Sequence, residues 1–373
     1  MKVLFLSRRT LFSVPGGDTV QLTKTAEYLR RLGVSVDVST ELEPSFRGYD
    51  LVHAFNLMRP QEVFLQVRKA KVEGYPIALS TIFGLYTEYE RKARTGLAGL
   101  VARHVPPWEV ERLKVIARAL VSREMSKGSA LVATRGYRRL CERITDMVDV
   151  FLPNSQSEMR RVWRDFPSSV GKAHVVVPNA VDLAIFNPAR VRVPEEFEQF
   201  RDCVLSVARI EGRKCQLELV RALKDSALRL VLIGRPAPNH IAYFNQVRRE
   251  AGDQVRFVGQ VSHEALACYY SVARVHALIS WMETPGLSSL EAGAMGCRLV
   301  VTDKGDTRDY FADDAWYCDP ENVGSIRAAV EAAYASPSTE GLAERIRREF
   351  TWEAAAQSTL DGYALAIAKR TRP

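Results

Sequence analysis

The chain has 373 residues, 47% hydrophobic and 26% charged, the balance of a folded globular protein and not of a disordered or fibrous one. No stretch approaches the roughly 18 apolar residues that span a bilayer, and the apolar run after Met1-Lys2 is too short for a signal-peptide core. The formal net charge is +8 and uneven: residues 1–180 carry 28 Lys/Arg against 18 Asp/Glu, and residues 181–373 carry 24 against 26.

At roughly 100–200 residues per domain, the length suggests two domains. Short runs rich in Val, Ile and Leu, many apolar on both faces, predict strands of covered parallel sheets. In the first half these are Val3–Ser7, Val34–Thr40, Leu51–Asn56, Ile77–Thr81, Ala130–Thr134, Val148–Pro153 and His174–Pro178. In the second half they are Val204–Ala208, Leu228–Gly234, Val255–Val261, Val275–Ser280, Leu299–Asp303 and Trp316–Asp319. Helical stretches alternate with them, so the fold class is α/β, with two Rossmann-like doubly wound domains in tandem. Three proline-containing pieces, Pro178-Asn179-Ala180-Val181-Asp182, Phe186-Asn187-Pro188 and Pro194-Glu195-Glu196, read as a linker. The expected domains are 1–178 and 179–352, with a last helix at about 353–373.

Three loops at strand ends can carry chemistry. Val14-Pro15-Gly16-Gly17-Asp18 follows the first strand and opens a helix through Leu22, Ala26, Leu29 and Leu32, stopped at Gly33. A glycine pair there lets backbone N–H groups approach an anion, or it makes a plain tight turn. Arg209, Arg213 and Lys214 follow the first strand of the second half, at the sheet edge where ligands of open α/β sheets bind. Such cations beside a helix N-terminus suit a diphosphate. The third loop runs from Ser280 to Ala292. In it, Pro285 and Gly286 make a turn, Leu287–Leu290 begin a helix, Glu283 precedes the turn and Glu291 lies one to two turns into the helix. The N–H groups of Gly286, Leu287 and Ser288, with two carboxylates around them, suit a sugar–diphosphate–ribose chain. Acids favoured at any helix start are the plain alternative.

Other chemistries lack their residues. There is no Asp-x-Asp to hold a diphosphate-bound metal, no Gly-x-Ser-x-Gly, and no metal-ligand spacing among the six histidines. The cysteines at 141, 203, 215, 268, 297 and 318 form no CxxC pair, which reads as reduced thiols in a cytoplasmic protein. Residues 91–139 hold twelve basic residues against Glu109, Glu111 and Glu124. Trp108, Leu113, Ile116 and Leu120 fall on one side of a helix there. That helix is a core helix with a charged outer face or one that rests on an anionic membrane surface.

Together these motifs resemble the GT-B glycosyltransferases of family 4, the retaining nucleotide-sugar group, over nearly the whole chain. The likeness rests on Glu283-x7-Glu291 with Gly286 inside it, Arg209 and Lys214, the Gly16-Gly17 loop, Pro178-Asn179-Ala180-Val181-Asp182, and Phe350-Thr351-Trp352 with the helix after it. It implies two Rossmann-like domains facing across a cleft, the last helix crossing back to the first. Glu283 would hold the transferred sugar, Glu291 the ribose, Gly286, Leu287 and Ser288 the phosphate or sugar, and Gly16 and Gly17 would also lie on the donor. Arg209 and Lys214 would neutralise the leaving diphosphate. Asp18 and His53 are candidates for the acceptor side, and no metal is expected. Many members have a histidine where this chain has Thr81-Ile82-Phe83-Gly84, so transfer assisted by the donor phosphate on the front face is the simpler mechanism here. Cys215 and Ala180 stand where the family usually has glycine.

Three functions fit. The first is retaining transfer from a UDP- or GDP-sugar to a glycan or lipid-linked acceptor, in surface polysaccharide or glycoconjugate assembly at the inner membrane face. The second keeps the donor but turns the basic half to nucleic acid, although no basic motif interleaved with aromatics supports it. The third is a nucleotide-sugar epimerase or binder of the same fold, for which Glu283 lacks an evident acid/base partner.

Overall fold

The computed structural model describes residues 1–94, 96–121, 125–284, 286–337 and 340–371. The chain divides into two compact units. One comprises Met1–Arg91, Thr95–Asn179 and Trp352–Pro373, the other Lys92–Arg94 and Ala180–Thr351.

The first unit begins with β1 (Lys2–Leu6), α1 (Gly17–Arg31), β2 (Ser35–Ser39), β3 (Leu51–Phe55), α2 (Pro60–Val72) and β4 (Ile77–Ser80). A helical excursion follows: α3 (Thr87–Lys92), α4 (Gly96–His104), α5 (Pro107–Val121), α6 (Lys127–Arg135) and α7 (Tyr137–Met147). The unit returns to its sheet with β5 (Val150–Phe151) and adds α8 (Gln156–Asp165). The sheet is parallel, in the order β2-β1-β3-β4-β5. All five residues of β3 and all four of β4 are buried, as strands covered on both faces must be. Leu4, Leu6, Val52, Ala54 and Leu79 meet Val63, Phe64 and Val67 of α2 in one core.

Two expected strands are not strands. Ala130–Thr134 lies inside α6. Ser126 caps that helix, its side chain accepting from the Ser129 N–H while Ser129 returns the bond to the Ser126 N–H. A capping box two turns before Arg135 outweighs a short apolar run whose type periodicity alone cannot decide. His174–Pro178 makes a single bridge, His174 to Phe151, beside the two-residue β5.

The second unit contains β6 (Val204–Val207), α9 (Gln216–Leu223), β7 (Leu230–Ile233), α10 (Ile241–Glu250), β8 (Val255–Gly259) and α11 (His263–Val272). It continues with β9 (Val275–Leu278), α12 (Leu287–Ala294), β10 (Arg298–Thr302), α13 (Thr307–Phe311), β11 (Trp316–Cys318), α14 (Val323–Ala335) and α15 (Glu340–Glu349). Its parallel sheet runs β11-β10-β9-β6-β7-β8, the doubly wound order with its reversal between β6 and β9. The last helix, α16 (Trp352–Thr371), belongs to the first unit, where buried Tyr363 reaches His53.

Close backbone approach pins the excursion of the first unit. A Cβ on Gly128, in α6, would stand 1.5 Å from the Gln61 carbonyl oxygen of α2. Gly128→Ala should therefore lower stability by about 2–4 kcal/mol, by forcing two packed helices apart. Gly341→Ala, with nothing within 4 Å of the added Cβ, should be neutral or stabilising. Urea unfolding of the two variants checks the contrast.

Candidate functional site

In the second unit the loops after β6 and β9 lie at the reversal of strand order. After β6 the chain passes Arg209 and Glu211 into a 3-10 turn, Gly212–Lys214, and enters α9 through Cys215. Cys215 has φ +48°, a left-handed conformation that favours glycine. That is the physical reason a glycine suits this place, and the buried Cys215 side chain keeps the strained backbone. Glu211 is buried, 2.7 Å from the Arg213 guanidinium and 3.9 Å from that of Arg209. Burial pushes its carboxyl up, but Arg213, Arg209 and Lys214 together hold it below the ordinary range.

The loop after β9 is fixed by three backbone contacts. The Trp281 N–H donates to the Arg213 carbonyl at 3.1 Å, joining the two loops. Glu283 pairs with Gly305 in a parallel bridge, and its carbonyl accepts from the Asp306 N–H at 2.8 Å. A Cβ on Gly305 would come within 2.1 Å of that carbonyl oxygen. So held, the Glu283 carboxylate meets the Lys214 ammonium in a mostly buried ion pair. Gly286 (φ +86°) starts α12, and a Cβ there would lie 2.6 Å from Leu278 and 3.4 Å from the Glu283 carboxylate. The first-turn N–H groups of Leu287 and Ser288 have no acceptor within their own helix. Pro285 lies outside the described residues.

Glu291 is the fifth residue of α12 and accepts from the hydroxyl of buried Tyr270 at 3.2 Å. Burial lifts its carboxyl to about 8, against a smaller opposing effect of the Tyr270 bond. Arg209, Lys214, Glu283, Gly286, Leu287, Ser288 and Glu291 thus share one edge of one sheet. Arg209 is the most exposed of the charged members, at 52% for its side chain.

In the first unit Gly16 is the N-cap of α1, with Gly17 its first residue. Asp18 is not a free carboxylate. Arg8, itself buried, grips it twice, Nε to Oδ2 at 2.7 Å and Nη2 to Oδ1 at 3.0 Å. Burial alone would raise the Asp18 carboxyl, but Arg8 and Asn56 bring it below its usual range. Arg8 also donates to the carbonyls of Thr10 and Val14, so this pair builds the Gly16-Gly17 loop. His53 is corrected to a core residue. It is fully buried, with Nδ1 2.7 Å from the Tyr363 hydroxyl and Nε2 2.9 Å from that of Ser80. Burial drives its pKa down to about 3, so it stays neutral. Around Thr81–Gly84, the buried Glu158 carboxylate accepts from the Thr81 hydroxyl and the Phe83 N–H, holding the loop.

The apolar side of α5 is also corrected. Val110, Val115 and Ala119 are buried, and Trp108 packs on the core, whereas Leu113 and Leu120 are 46% and 66% exposed. Its cations are partly spent: Arg112 pairs with Glu109, and Lys114 with Glu90 and Glu111.

Residues 191–349 match the family model of glycosyl transferases group 1. That match covers most of the second unit. Among sequence relatives, a D-inositol 3-phosphate glycosyltransferase of Kineococcus radiotolerans is 29% identical over 61% of this chain and 60% of its own length. The chain thus spans under two thirds of that relative. One of the same name from Corynebacterium urealyticum is 27% identical over 77% of this chain and 74% of its own. Among solved structures, a sucrose-phosphate synthase from Thermosynechococcus elongatus superimposes with a TM-score of 0.73 at 18% identity, over 99% of both chains. Anabaena HepE in complex with UDP-glucose does so with a TM-score of 0.67 at 14% identity, over 98% of this chain and 99% of its own. The fold is that of the GT-B glycosyltransferases, two Rossmann-like parallel-sheet domains.

Within the second unit, sequence reasoning missed Glu211 and Tyr270, which organise Arg213 and Glu291. Acid two residues before Arg213 was a signal for the first; nothing local signals the second, 21 residues from its partner. The raised Glu291 pKa has a signed consequence. Between its ordinary value near 4.5 and about 8 the folded state keeps a proton that the unfolded state releases. Stability from this group is therefore lost as pH rises through that window. Glu291→Gln should melt above the wild type at pH 8, with the gap closing toward pH 5, read by calorimetry across that range. A gap independent of pH would contradict the assignment.

Proposed function

We propose that the chain is a retaining glycosyltransferase that takes a sugar from a UDP- or GDP-linked donor to a hydroxyl of a glycan or lipid-linked acceptor, in surface polysaccharide or glycoconjugate assembly. The observation that carries this is the Lys214–Glu283 pair beside the first turn of α12, at the reversal of strand order. A sugar-diphosphate supplies what each group lacks. Its phosphates replace Glu283 as the partner of Lys214 and take in Arg209 and the N–H groups of Leu287 and Ser288. Its sugar hydroxyls donate to the freed Glu283 carboxylate, and the ribose hydroxyls to Glu291.

In the transfer, the bond between the anomeric carbon and the β-phosphate oxygen breaks, its electron pair leaving with the phosphate. The acceptor oxygen bonds to that carbon from the same face, and its proton passes to the departing phosphate oxygen. Neutralising that charge is the main catalytic task, and we assign it to Lys214, Arg209 and the helix N–H groups without a metal. The absence of Asp-x-Asp supports this. The named relatives add a phosphorylated polyol to the acceptor classes worth assaying.

The test combines ligand-induced thermal shift with turnover. UDP or GDP and one of their sugar conjugates should raise the melting temperature. Glu283→Gln and Lys214→Gln should each lower turnover about 100-fold or more. Glu291→Gln should chiefly weaken donor binding. Wild-type turnover in Glu283→Gln would overturn the site, and a new nucleotide sugar made without acceptor would make the enzyme an epimerase.

A peripheral place on the inner membrane face is supported by Leu113, Leu120 and Val121, exposed on α5 beside Arg118. No helix among the described residues is long and apolar enough to cross a membrane. Vesicles rich in phosphatidylglycerol should sediment the protein, and Leu120→Glu should weaken that binding. Equal recovery with phosphatidylcholine vesicles would remove the membrane from the reading.

A further inference from the structure

The Lys214–Glu283 pair is built from two loops whose backbones are each fixed independently. On one side, the Lys214 N–H donates to the Glu211 carbonyl at 2.9 Å, closing the Gly212–Lys214 turn. Buried Gln216 braces that turn, accepting from the Glu211 N–H at 3.4 Å and donating to the Arg209 carbonyl at 3.0 Å. On the other side, the Glu283 N–H donates to the Lys304 carbonyl at 3.4 Å, and buried Trp281 anchors the start of the loop. The two side chains therefore meet before any ligand arrives, with 16% and 10% of their surface exposed. Among the described residues, Lys214 makes the one hydrogen bond and ion pair of the Glu283 carboxylate. Glu211 also feels the Lys214 charge, but Arg213 holds its carboxylate at 2.7 Å.

Such a pair responds asymmetrically to ligands. Taking one partner from a mostly buried ion pair leaves a desolvated charge unmatched, whereas supplying new partners to both costs far less. A nucleoside diphosphate without sugar offers Lys214 a new anion and offers Glu283 nothing. Its own negative charge also lies near the orphaned carboxylate. A sugar-bearing diphosphate brings hydroxyl groups, which donate to the freed carboxylate. The two ligands share base, ribose and phosphates, so the difference between them falls on Glu283.

We propose that Glu283 has a second role, as the group that selects the sugar-bearing nucleotide over the spent one. In the free protein it holds Lys214 and so competes with a bare diphosphate. It yields to the donor, because the sugar hydroxyls take the place of the ammonium. Once the sugar has left with the acceptor, the carboxylate loses those hydroxyls, and its recapture of Lys214 expels the diphosphate. This role rests on the donor reading above and adds an order of affinities to it, donor above product.

Calorimetric titration with UDP and GDP, and with sugar conjugates of whichever one binds, tests the role. Glu283→Gln keeps the shape of the side chain and removes its charge. It should bind the bare diphosphate about tenfold more tightly than the wild type, although its turnover falls. Comparing Lys214→Gln with Lys214→Gln/Glu283→Gln completes a double-mutant cycle. Without Lys214 the carboxylate has nothing to hold, so the gain should shrink to about threefold or less. A further measurement needs no variant. In the wild type, the conjugate whose sugar is transferred or hydrolysed should bind more tightly than its parent diphosphate. In Glu283→Gln that order should reverse.

Three results overturn the role while leaving the donor site in place, since the nucleotide still binds. They are diphosphate binding unchanged or weakened in Glu283→Gln, an undiminished gain when Lys214 is already absent, and a wild type that prefers the bare diphosphate. An undiminished gain would reduce Glu283 to simple repulsion of phosphate. A wild type that binds neither UDP, GDP nor any conjugate sinks the donor reading itself, and this role with it.

Discussion

The reversal of strand order within each sheet is the constraint on which the rest depends. Helices that cross to opposite faces of a parallel sheet diverge at one point, and the loops on either side of it cannot be closed over by their own crossovers. In the second unit that point lies between β6 and β9. The loops it leaves open carry Lys214 and Glu283, 69 residues apart in sequence and in contact in space. Their meeting follows from topology. Neither loop has a local reason to seek the other, and the Trp281 N–H to Arg213 carbonyl bond secures what the sheet brings together.

Backbone chemistry then tunes the pair. Gly305 lets a neighbouring loop lie against the Glu283 carbonyl, and Gly286 lets the first turn of α12 close on the Glu283 carboxylate. A side chain at 305 would collide with the Glu283 backbone, and one at 286 with the Leu278 side chain. The same logic explains Cys215, which holds a left-handed backbone next to the lysine. Strain at that residue is sustained by burial of its side chain, and it keeps the Lys214 turn tight before α9 begins.

What could be read from the sequence divides along these lines. Glu283, Gly286 and Glu291 share one strand–turn–helix segment, and Arg209 and Lys214 share another, so type and spacing were enough to place them. The strands of both sheets announced themselves as apolar runs because burial on two faces leaves little room for polar residues. Long-range polar pairs did not. His53 looks like a ligand candidate until Tyr363, 310 residues away, takes its Nδ1. Asp18 looks free until Arg8 claims it through ten residues of loop. The phase of α5 was misread for a related reason. Its buried side follows what packs on it, Val110, Val115 and Ala119, and the larger Leu113 and Leu120 are left outside.

The net charge of +8 takes on meaning only at this level. In the second unit the cations at the strand reversal already have partners, Arg213 with Glu211 and Lys214 with Glu283. On the proposed donor reading a ligand there would work by exchange, displacing a carboxylate and rewarded only if it also occupies that carboxylate. This selects molecules that carry an anion and hydroxyls side by side, and it disfavours a bare anion. In the first unit Arg59 instead faces the Glu62 and Asp18 carboxylates without a close ion pair to either. Bulk charge would treat the two places alike. Local pairing separates them.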